Sequence, residues 1–252
     1  MKKTIAIIGI DGITGPAMVY GFAKAGYRTL VTHHAEELPI SLAEKINLLI
    51  SKIRLAEPHA DVEAVSSARE ASWEADIIIP NVPYNMQAAV ASRIKDVVTG
   101  KIVISAINPI NGTFDGLLTP PTTSAAEELA KLLPHSKVVK AFNTIFAMDF
   151  DTPKFIGQAV DVFVAGDDDE AVSTVTQLVR DLGMMPLFVG GLAMSRTLEN
   201  MMVLLISLSL RNHFLKPVGW KVVHDKVAHT EQDGLEPSKI KTERSLLCGK
   251  DG

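Results

Sequence analysis

The chain has very little cysteine: its 252 residues include one, Cys248, in a polar C-terminal segment. One thiol cannot build a disulfide framework or a cysteine metal site, so neither is expected to stabilise the fold. Chains this poor in cysteine are typical of reducing compartments, which predicts a cytoplasmic protein.

Long hydrophobic runs are also missing. The most apolar late stretch, residues 201–210, is too short to cross a bilayer, which needs about 20 residues. The apolar run at residues 4–8 ends in Gly9 without a small-residue cleavage site, so we interpret it as a strand and not as a signal peptide. We therefore expect no association with a membrane.

The charge balance gives no support to nucleic acid as a partner. Lys and Arg number 25 against 29 Asp and Glu, a formal net charge of −4. With 47% hydrophobic and 21% charged residues, the composition is that of an ordinary globular protein. The length suits one large α/β domain, with or without a smaller appendage.

The most informative segment is a glycine-rich turn between a short apolar run and a helical pattern. Such a turn presents backbone N–H groups to the pyrophosphate of a dinucleotide. The usual spacing puts glycines at positions 10, 12 and 15, but Ile10 occupies the first of them. Thr14 is a candidate N-cap, and Pro16 suits the first helical turn. A purely structural turn is the alternative. The predicted cofactor-binding residues here are Gly9, Ile10, Asp11, Gly12, Ile13, Thr14 and Gly15.

Strand and helix patterns alternate along the chain. Short continuous apolar runs are typical of central strands covered on both faces of a parallel sheet. They occur at residues 4–8, 76–79 and 101–104, and residues 28–32 and 137–141 are also interpreted as strands. Helical patterns lie between them at residues 17–25, 41–55, 86–97 and 124–133, the last with Ser124 and Glu127 spaced as a capping box. This order predicts an α/β protein with a Rossmann-type, doubly wound, mostly parallel sheet.

A smaller alternation follows, with strands at 161–165 and 185–189 and helices at 168–182 and 195–210. We therefore predict a nucleotide-binding domain at residues 1–150 and a small C-terminal α/β portion at 151–222. The second portion ends in a long apolar helix that faces the cofactor or forms a homodimer. Residues 223–252 are predicted to be a polar tail.

The end of the second strand discriminates between cofactors. NAD-binding folds usually have Asp or Glu there for the ribose 2′-hydroxyl, whereas this chain has Thr32, His33 and His34. These side chains can donate hydrogen bonds to a 2′-phosphate, which favours NADP over NAD, although Glu36 and Glu37 lie close by. The histidines could instead be plain loop residues. A metal site is not expected, since no third ligand is nearby.

Polar residues and prolines also follow three later strands, where open α/β sheets bind ligands. Asn and Thr side chains can hold a nicotinamide ribose or carboxamide without adding charge, although Asn before Pro also starts ordinary turns. The residues predicted to bind the cofactor here are Val82, Pro83 and Tyr84, then Asn108 and Pro109, and lastly Ala141, Asn143 and Thr144.

Taken together and in order, these segments resemble one family. The glycine turn, Val82-Pro83-Tyr84, the run 101–104 leading to Asn108-Pro109, and residues 139–144 are similar to NADP oxidoreductases that depend on the deazaflavin coenzyme F420. Residues 162–168 and the helix with Leu198-Glu199 are similar to the same family. One departure is that the family commonly has Ser-Arg where this chain has His33-His34.

The resemblance implies hydride exchange between NADPH and the deazaflavin. A flavin in place of the deazaflavin is the alternative second redox partner. It also implies that the glycine turn holds the pyrophosphate and that the end of the second strand holds the 2′-phosphate. The acidic tail of the deazaflavin would need cations. A later group of basic residues could supply them or could simply complement a helix dipole: Arg196, Arg211, His213, Lys216 and Lys221.

No catalytic acid or base is assigned. Direct hydride transfer between two bound rings depends on proximity and orientation more than on proton transfer. Lys140 is a polar candidate near the site, or else a structural charge. The alternatives are an NADPH-dependent reductase of a flavin, imine or carbonyl acceptor, and a dinucleotide-binding sensor without turnover. A carbonyl reductase would normally need a proton donor, for which Tyr84 is the best placed tyrosine.

Overall fold

A computed structural model describes residues 2–10, 12–34, 40–155, 157–214 and 218–223. The chain divides into two compact units, residues 1–221 and 222–252. Of the second unit, only Val222 and Val223 are among the described residues.

Ten strands and seven α-helices make up the described part of the first unit. In chain order they are β1 (Thr4–Ile8), α1 (Thr14–Lys24), β2 (Arg28–Thr32), α2 (Ile40–Ala56), β3 (Val62–Ala64), α3 (Ala68–Glu74), β4 (Ile77–Pro80), α4 (Gln87–Ile94) and β5 (Ile102–Ser105). They continue with α5 (Ala125–Leu132), β6 (Lys137–Lys140), β7 (Lys154–Phe155), β8 (Gln158–Ala159), β9 (Asp161–Gly166), α6 (Asp169–Asp181), β10 (Met185–Gly190) and α7 (Ser195–Arg211).

Eight of the strands form one sheet in the order β10-β9-β6-β5-β4-β1-β2-β3. The strands β1 to β6 are mutually parallel, β9 runs antiparallel to β6, and β10 runs parallel to β9. The prediction of a mostly parallel, doubly wound sheet is confirmed. Since β9 and β10 extend the same sheet, the division of residues 1–222 at position 150 stays a prediction.

Continuous apolar runs became central strands because the sheet is covered on both faces. In β4, Ile77 and Ile79 pack in the cluster beneath α1, α2 and α6, while Ile78 packs in the cluster beneath α4 and α5. Alternate side chains of a strand point to opposite faces, so a strand buried on both sides needs apolar residues at every position. All four residues of β4 are buried.

The local predictions were mostly accurate at the strands and less so at the helix ends. Ser124 caps α5 as predicted: its hydroxyl accepts a hydrogen bond from the Glu127 N–H at 3.1 Å. Thr14 as an N-cap was wrong, because α1 already begins at Thr14 and Ile13 is the N-cap. The helix predicted at 86–97 is α4, flanked by 3₁₀ turns at Tyr84–Met86 and Lys95–Val97.

The long helix α7 packs Leu198 against Phe163 and Ala165 of β9. Further along it, Leu204 and Leu210 are exposed. Within the described residues, no helix combines the length and apolar character that a membrane crossing requires.

Candidate active site

The glycine turn is shaped by close packing of chain against chain. Gly9 follows β1 with a φ of +107°, and a Cβ there would lie 2.3 Å from the Asn81 carbonyl oxygen. A Cβ on Gly15 would lie 2.3 Å from the Gly9 carbonyl oxygen. No side chain fits at either distance, so both positions require glycine for the fold itself. Asn81 completes the arrangement, because its Nδ2 donates to the Gly9 carbonyl at 2.9 Å.

Gly12 differs from the other two glycines of the turn. No heavy atom of the described residues lies within 4 Å of a Cβ built on it, so this position faces open space. The helix α1 begins two residues later, and its N-cap, Ile13, has no polar side-chain atom with which to cap the first N–H groups. An open position beside an uncapped helix N-terminus fits a pyrophosphate. Ile10 is buried in the core, and Asp11 lies outside the described residues.

The end of β2 lies beside this turn. The Gly9 N–H donates to the Thr32 carbonyl at 2.9 Å. The rings of His33 and His34 lie 3.9 Å apart between centroids, with His33 buried. Arg93 of α4 donates a hydrogen bond to the His34 carbonyl and brings a cation to the same place. The predicted role of Thr32, His33 and His34 toward a 2′-phosphate stays a prediction, and Glu36 and Glu37 lie outside the described residues.

The segment after β4 divides into buried and partly exposed residues. Val82 packs in the core against Ile78, and Pro83 is exposed. The Tyr84 hydroxyl donates to a Glu128 carboxylate oxygen at 2.6 Å. Partial burial and this carboxylate raise the pKa of Tyr84 to about 12. The phenol therefore stays protonated and is engaged by α5, which makes it a poor donor to a substrate.

Two asparagines join the ends of β5 and β6. The Asn108 Nδ2 donates to the Asn143 carbonyl at 2.7 Å, and the Asn143 Nδ2 donates back to the Asn108 Oδ1 at 2.9 Å. The Asn143 Nδ2 also donates to the Leu198 carbonyl of α7 at 2.9 Å. The Thr144 hydroxyl is buried and has no hydrogen-bond partner within the described ranges. The structure thus brings Asn108, Asn143 and Thr144 together at the carboxyl edge, and Pro109 and Ala141 are buried beside them.

The turn after β6 holds an unusual backbone conformation. Phe142 has a φ of +62°, a region that a bulky side chain rarely adopts. Its ring is buried between Phe22, at 5.9 Å, and Phe150, at 5.7 Å between centroids. Packing of this aromatic cluster therefore fixes the turn from which Asn143 and Thr144 project.

Comparisons with known proteins agree with this geometry. The model of the family described as "NADP oxidoreductase coenzyme F420-dependent" matches residues 4–109. The chain is 28% identical over 215 residues to an F420-dependent NADP reductase of Methanocaldococcus jannaschii, a match that covers 82% of this chain and 92% of the relative. Identity to an F420-dependent NADP reductase of Methanothermobacter marburgensis is 29% over 219 residues, covering 82% and 93%. The chain is similar to this oxidoreductase family over most of its length. The predicted resemblance and enzyme class are thereby confirmed.

A solved structure gives the same fold. A candidate F420-dependent NADP reductase from Arthrobacter sp. FB24 superposes with a TM-score of 0.71 at 24% sequence identity, covering 84% of this chain and 95% of that one. At this identity, the likeness supports the Rossmann-type architecture and nothing finer.

Two of the basic residues suggested for the acidic tail of the coenzyme, Arg196 and Arg211, lie at opposite ends of α7. Arg196 forms two hydrogen bonds with the Glu127 carboxylate, at 2.8 and 2.5 Å, near the N-terminus of α7. Arg211 ends the same helix, about 22 Å away at 1.5 Å per residue. Lys221 lies 2.5 Å from Asp161. The remaining two were His213, which is exposed, and Lys216, which lies outside the described residues. Arg196 and Lys221 are thus paired with carboxylates, and the suggestion that this group binds the acidic tail of the coenzyme stays a prediction.

A buried ion pair lies at the end of β6, between Lys140 and Glu199. The Lys140 Nζ lies 2.7 Å from a Glu199 carboxylate oxygen and donates to the Ile107 carbonyl at 2.6 Å. Glu199 also accepts from the backbone N–H groups of Ala125 and Ala126 at the start of α5. Burial pulls the pKa of Lys140 below its ordinary value, and Glu199 opposes that shift. This lysine is therefore a structural charge that ties β6 to α7, α5 and the loop after β5.

Two residues of this site were missed at the level of sequence. Asn81 follows β4 directly, so its position after a central strand was a usable signal. Glu199 was noted only within a family resemblance. Its contact with Lys140 spans 59 residues, and no local pattern predicts such a pair.

Proposed function

We propose that this chain is an NADP-dependent oxidoreductase that transfers a hydride between NADPH and a deazaflavin of the coenzyme F420 type. The observation that carries the proposal is its similarity, over more than nine-tenths of their length, to F420-dependent NADP reductases. The open Gly12 position at the start of α1 supports it, since that arrangement fits a dinucleotide pyrophosphate.

The predicted cofactor-binding residues follow the carboxyl edge of the sheet in the order that an extended dinucleotide would need. The glycine turn and α1 would hold the pyrophosphate, with Thr32, His33 and His34 toward the 2′-phosphate. The segments 82–84, 108–109 and 141–144 would hold the nicotinamide end. There the unpartnered Thr144 hydroxyl offers a hydrogen bond without adding charge.

When bound, NADPH supplies the hydride, so the residues of the chain need to orient two rings and exclude water. The site is suited to that task, because amides, a hydroxyl and aromatic packing fix its turns. Tyr84 is the one phenol at this edge among the described residues, and its hydroxyl already donates a hydrogen bond to Glu128. This favours direct hydride transfer over reduction of a carbonyl, which needs a free acid.

We further propose a homodimer in which residues 1–150 bind the dinucleotide and residues 151–222 complete the acceptor side. The support is a stripe on α7, with Met201 half-buried and Leu204 and Leu208 exposed at helical spacing. Light scattering should give twice the chain mass, and Leu204→Glu combined with Leu208→Glu should give the monomer mass.

A single cysteine in the whole chain supports a cytoplasmic location.

The deciding experiment is calorimetric titration with NADPH and with NADH, repeated in the presence of the deazaflavin. We expect NADPH to bind more tightly than NADH and the deazaflavin absorbance to bleach on addition of NADPH. NADPH binding without bleaching would exclude the deazaflavin as acceptor. A panel of flavin, imine and carbonyl acceptors would then separate another reductase from a sensor that has no turnover.

A further inference from the structure

The long connection between β5 and α5 carries a small braced hairpin. Both of its ends lie at the carboxyl edge of the sheet, because β5 ends there and α5 begins there. Its base is fixed by the Asn108–Asn143 hydrogen bonds and by the Leu118 N–H, which donates to the Pro109 carbonyl at 2.6 Å. Ile110 and Leu117 then pair as an antiparallel bridge. The hairpin tip therefore projects from the same edge that holds the predicted nicotinamide end.

The tip is held by its own polar side chains. An Asp115 carboxylate oxygen accepts from the Asn111 Nδ2 at 2.8 Å and from the Thr113 hydroxyl at 2.6 Å. The Asp115 N–H donates back to the Asn111 Oδ1 at 3.2 Å. These hydrogen bonds hold the pKa of Asp115 below its usual range, so the bracing persists at neutral pH.

Phe114 stands at this tip in a conformation that the fold does not explain. Its φ is +60°, a region that costs a bulky residue free energy and that glycine or asparagine adopts readily. The side chain is 51% exposed, and it belongs to none of the hydrophobic clusters of the described residues. A strained and exposed aromatic ring on a rigid tip is typical of a surface that meets a ligand.

We propose that Phe114 is a specificity-determining residue that packs its ring against the tricyclic ring of the deazaflavin acceptor. The inference rests on the proposed function. Flat aromatic rings stack on flat heterocycles, and a tip braced before binding loses little conformational entropy when the ligand arrives. In this arrangement the hairpin tip provides an apolar contact for the deazaflavin, while the glycine turn and α1 bind the dinucleotide.

The test is a fluorescence titration of the deazaflavin with the wild-type protein, Phe114→Asn and Phe114→Tyr, with NADPH binding measured in parallel. Phe114→Asn should weaken deazaflavin binding roughly 3- to 10-fold, the value of one aromatic contact. Its NADPH affinity should not change, and its melting temperature should stay constant or rise, because asparagine tolerates the left-handed backbone. Phe114→Tyr keeps the ring and should bind like the wild type.

Trp73→Asn is the matched control. Trp73 is 70% exposed, and it lies at the end of α3, on the amino edge of the sheet. Loss of a distant exposed ring should leave deazaflavin binding unchanged.

Any one of three results for Phe114→Asn would disprove the role of Phe114 and leave the proposed function intact. They are an unchanged dissociation constant for the deazaflavin, a loss of NADPH affinity equal to the loss of deazaflavin affinity, or a lowered melting temperature. Wild-type protein that binds NADPH but does not change the deazaflavin fluorescence would contradict the proposed function itself, and the role of Phe114 with it.

Discussion

The ammonium of Lys140 lies 2.7 Å from a carboxylate oxygen of Glu199, and both side chains are fully buried. Two charges removed from water are stable only when each compensates the other and the remaining polar atoms are hydrogen-bonded. Here the Ile107 carbonyl and two N–H groups of α5 complete the set. One ion pair therefore joins four segments, namely β6, α7, the start of α5 and the loop after β5.

Removing one member of this pair should be strongly destabilising. We expect Lys140→Met to lower the free energy of unfolding by about 3–5 kcal/mol, because Glu199 is left buried without its counter-charge. Urea unfolding measures the effect. The double variant Lys140→Met/Glu199→Gln should recover part of the loss. Lys137→Met makes the same change in β6 at a half-buried lysine whose partners, Asp168 and Glu170, are exposed, and it should have little effect. Equal losses of stability at both positions would contradict a special role for the buried pair.

Gly12→Val should abolish dinucleotide binding in a protein that still folds. A Cβ at Gly12 meets open space in the described protein, so the variant side chain would fill only the volume assigned to the pyrophosphate. Calorimetry should detect no NADPH binding, at an unchanged melting temperature. Gly15→Val is the contrasting case, since its Cβ would lie 2.3 Å from the Gly9 carbonyl oxygen and should destabilise the fold. Full NADPH affinity in folded Gly12→Val would disprove the placement.

The two histidines after β2 should discriminate between the dinucleotides. Replacing His33 and His34 with Ala should weaken NADPH binding far more than NADH binding, because only NADPH carries the 2′-phosphate. His135→Ala is the control, as this exposed residue precedes β6 at the opposite edge of the sheet. Equal losses of affinity for NADPH and NADH would show that the two histidines do not bind the 2′-phosphate.

Asp149 should make stability depend on pH in the direction opposite to an ordinary salt-bridged carboxylate. Burial raises its pKa from 3.8 to about 6, although the Phe146 N–H opposes the shift. The folded state therefore binds more protons than the unfolded state between these values. The stabilising contribution of the protonated Asp149 carboxyl is fully present below about pH 4 and is lost as the pH rises through 6. The pKa shift corresponds to about 3 kcal/mol in the free energy of unfolding.

The measurement is urea unfolding of the wild type and of Asp149→Asn at pH 4.5 and at pH 7. The variant should gain stability relative to the wild type as the pH rises, because asparagine carries no charge to bury. Parallel pH dependence of the two proteins would show that this carboxyl does not titrate as described.

Local chemistry accounts for what could be predicted. The bounds of β1 and β2 match the predicted strands residue for residue, since four of the five residues in each strand are buried in the sheet. The short strand β3, the helix α3 and the hairpin of β7 and β8 were missed. Each is brief and partly exposed, so its apolar pattern is too weak to separate it from a loop.

By itself, the sequence determined the alternation of strands and helices, the glycine turn after β1 and the family that the chain resembles. These depend on side-chain periodicity and on short contiguous motifs. Only the tertiary structure decided which residues pair across the chain. Asn81 hydrogen-bonds to the glycine turn, Glu199 forms an ion pair with Lys140, and Arg196 forms an ion pair with Glu127. The physical reason is that hydrogen bonds and ion pairs act over a few ångströms of space, and the fold alone brings together residues that lie 59 to 72 positions apart in the chain.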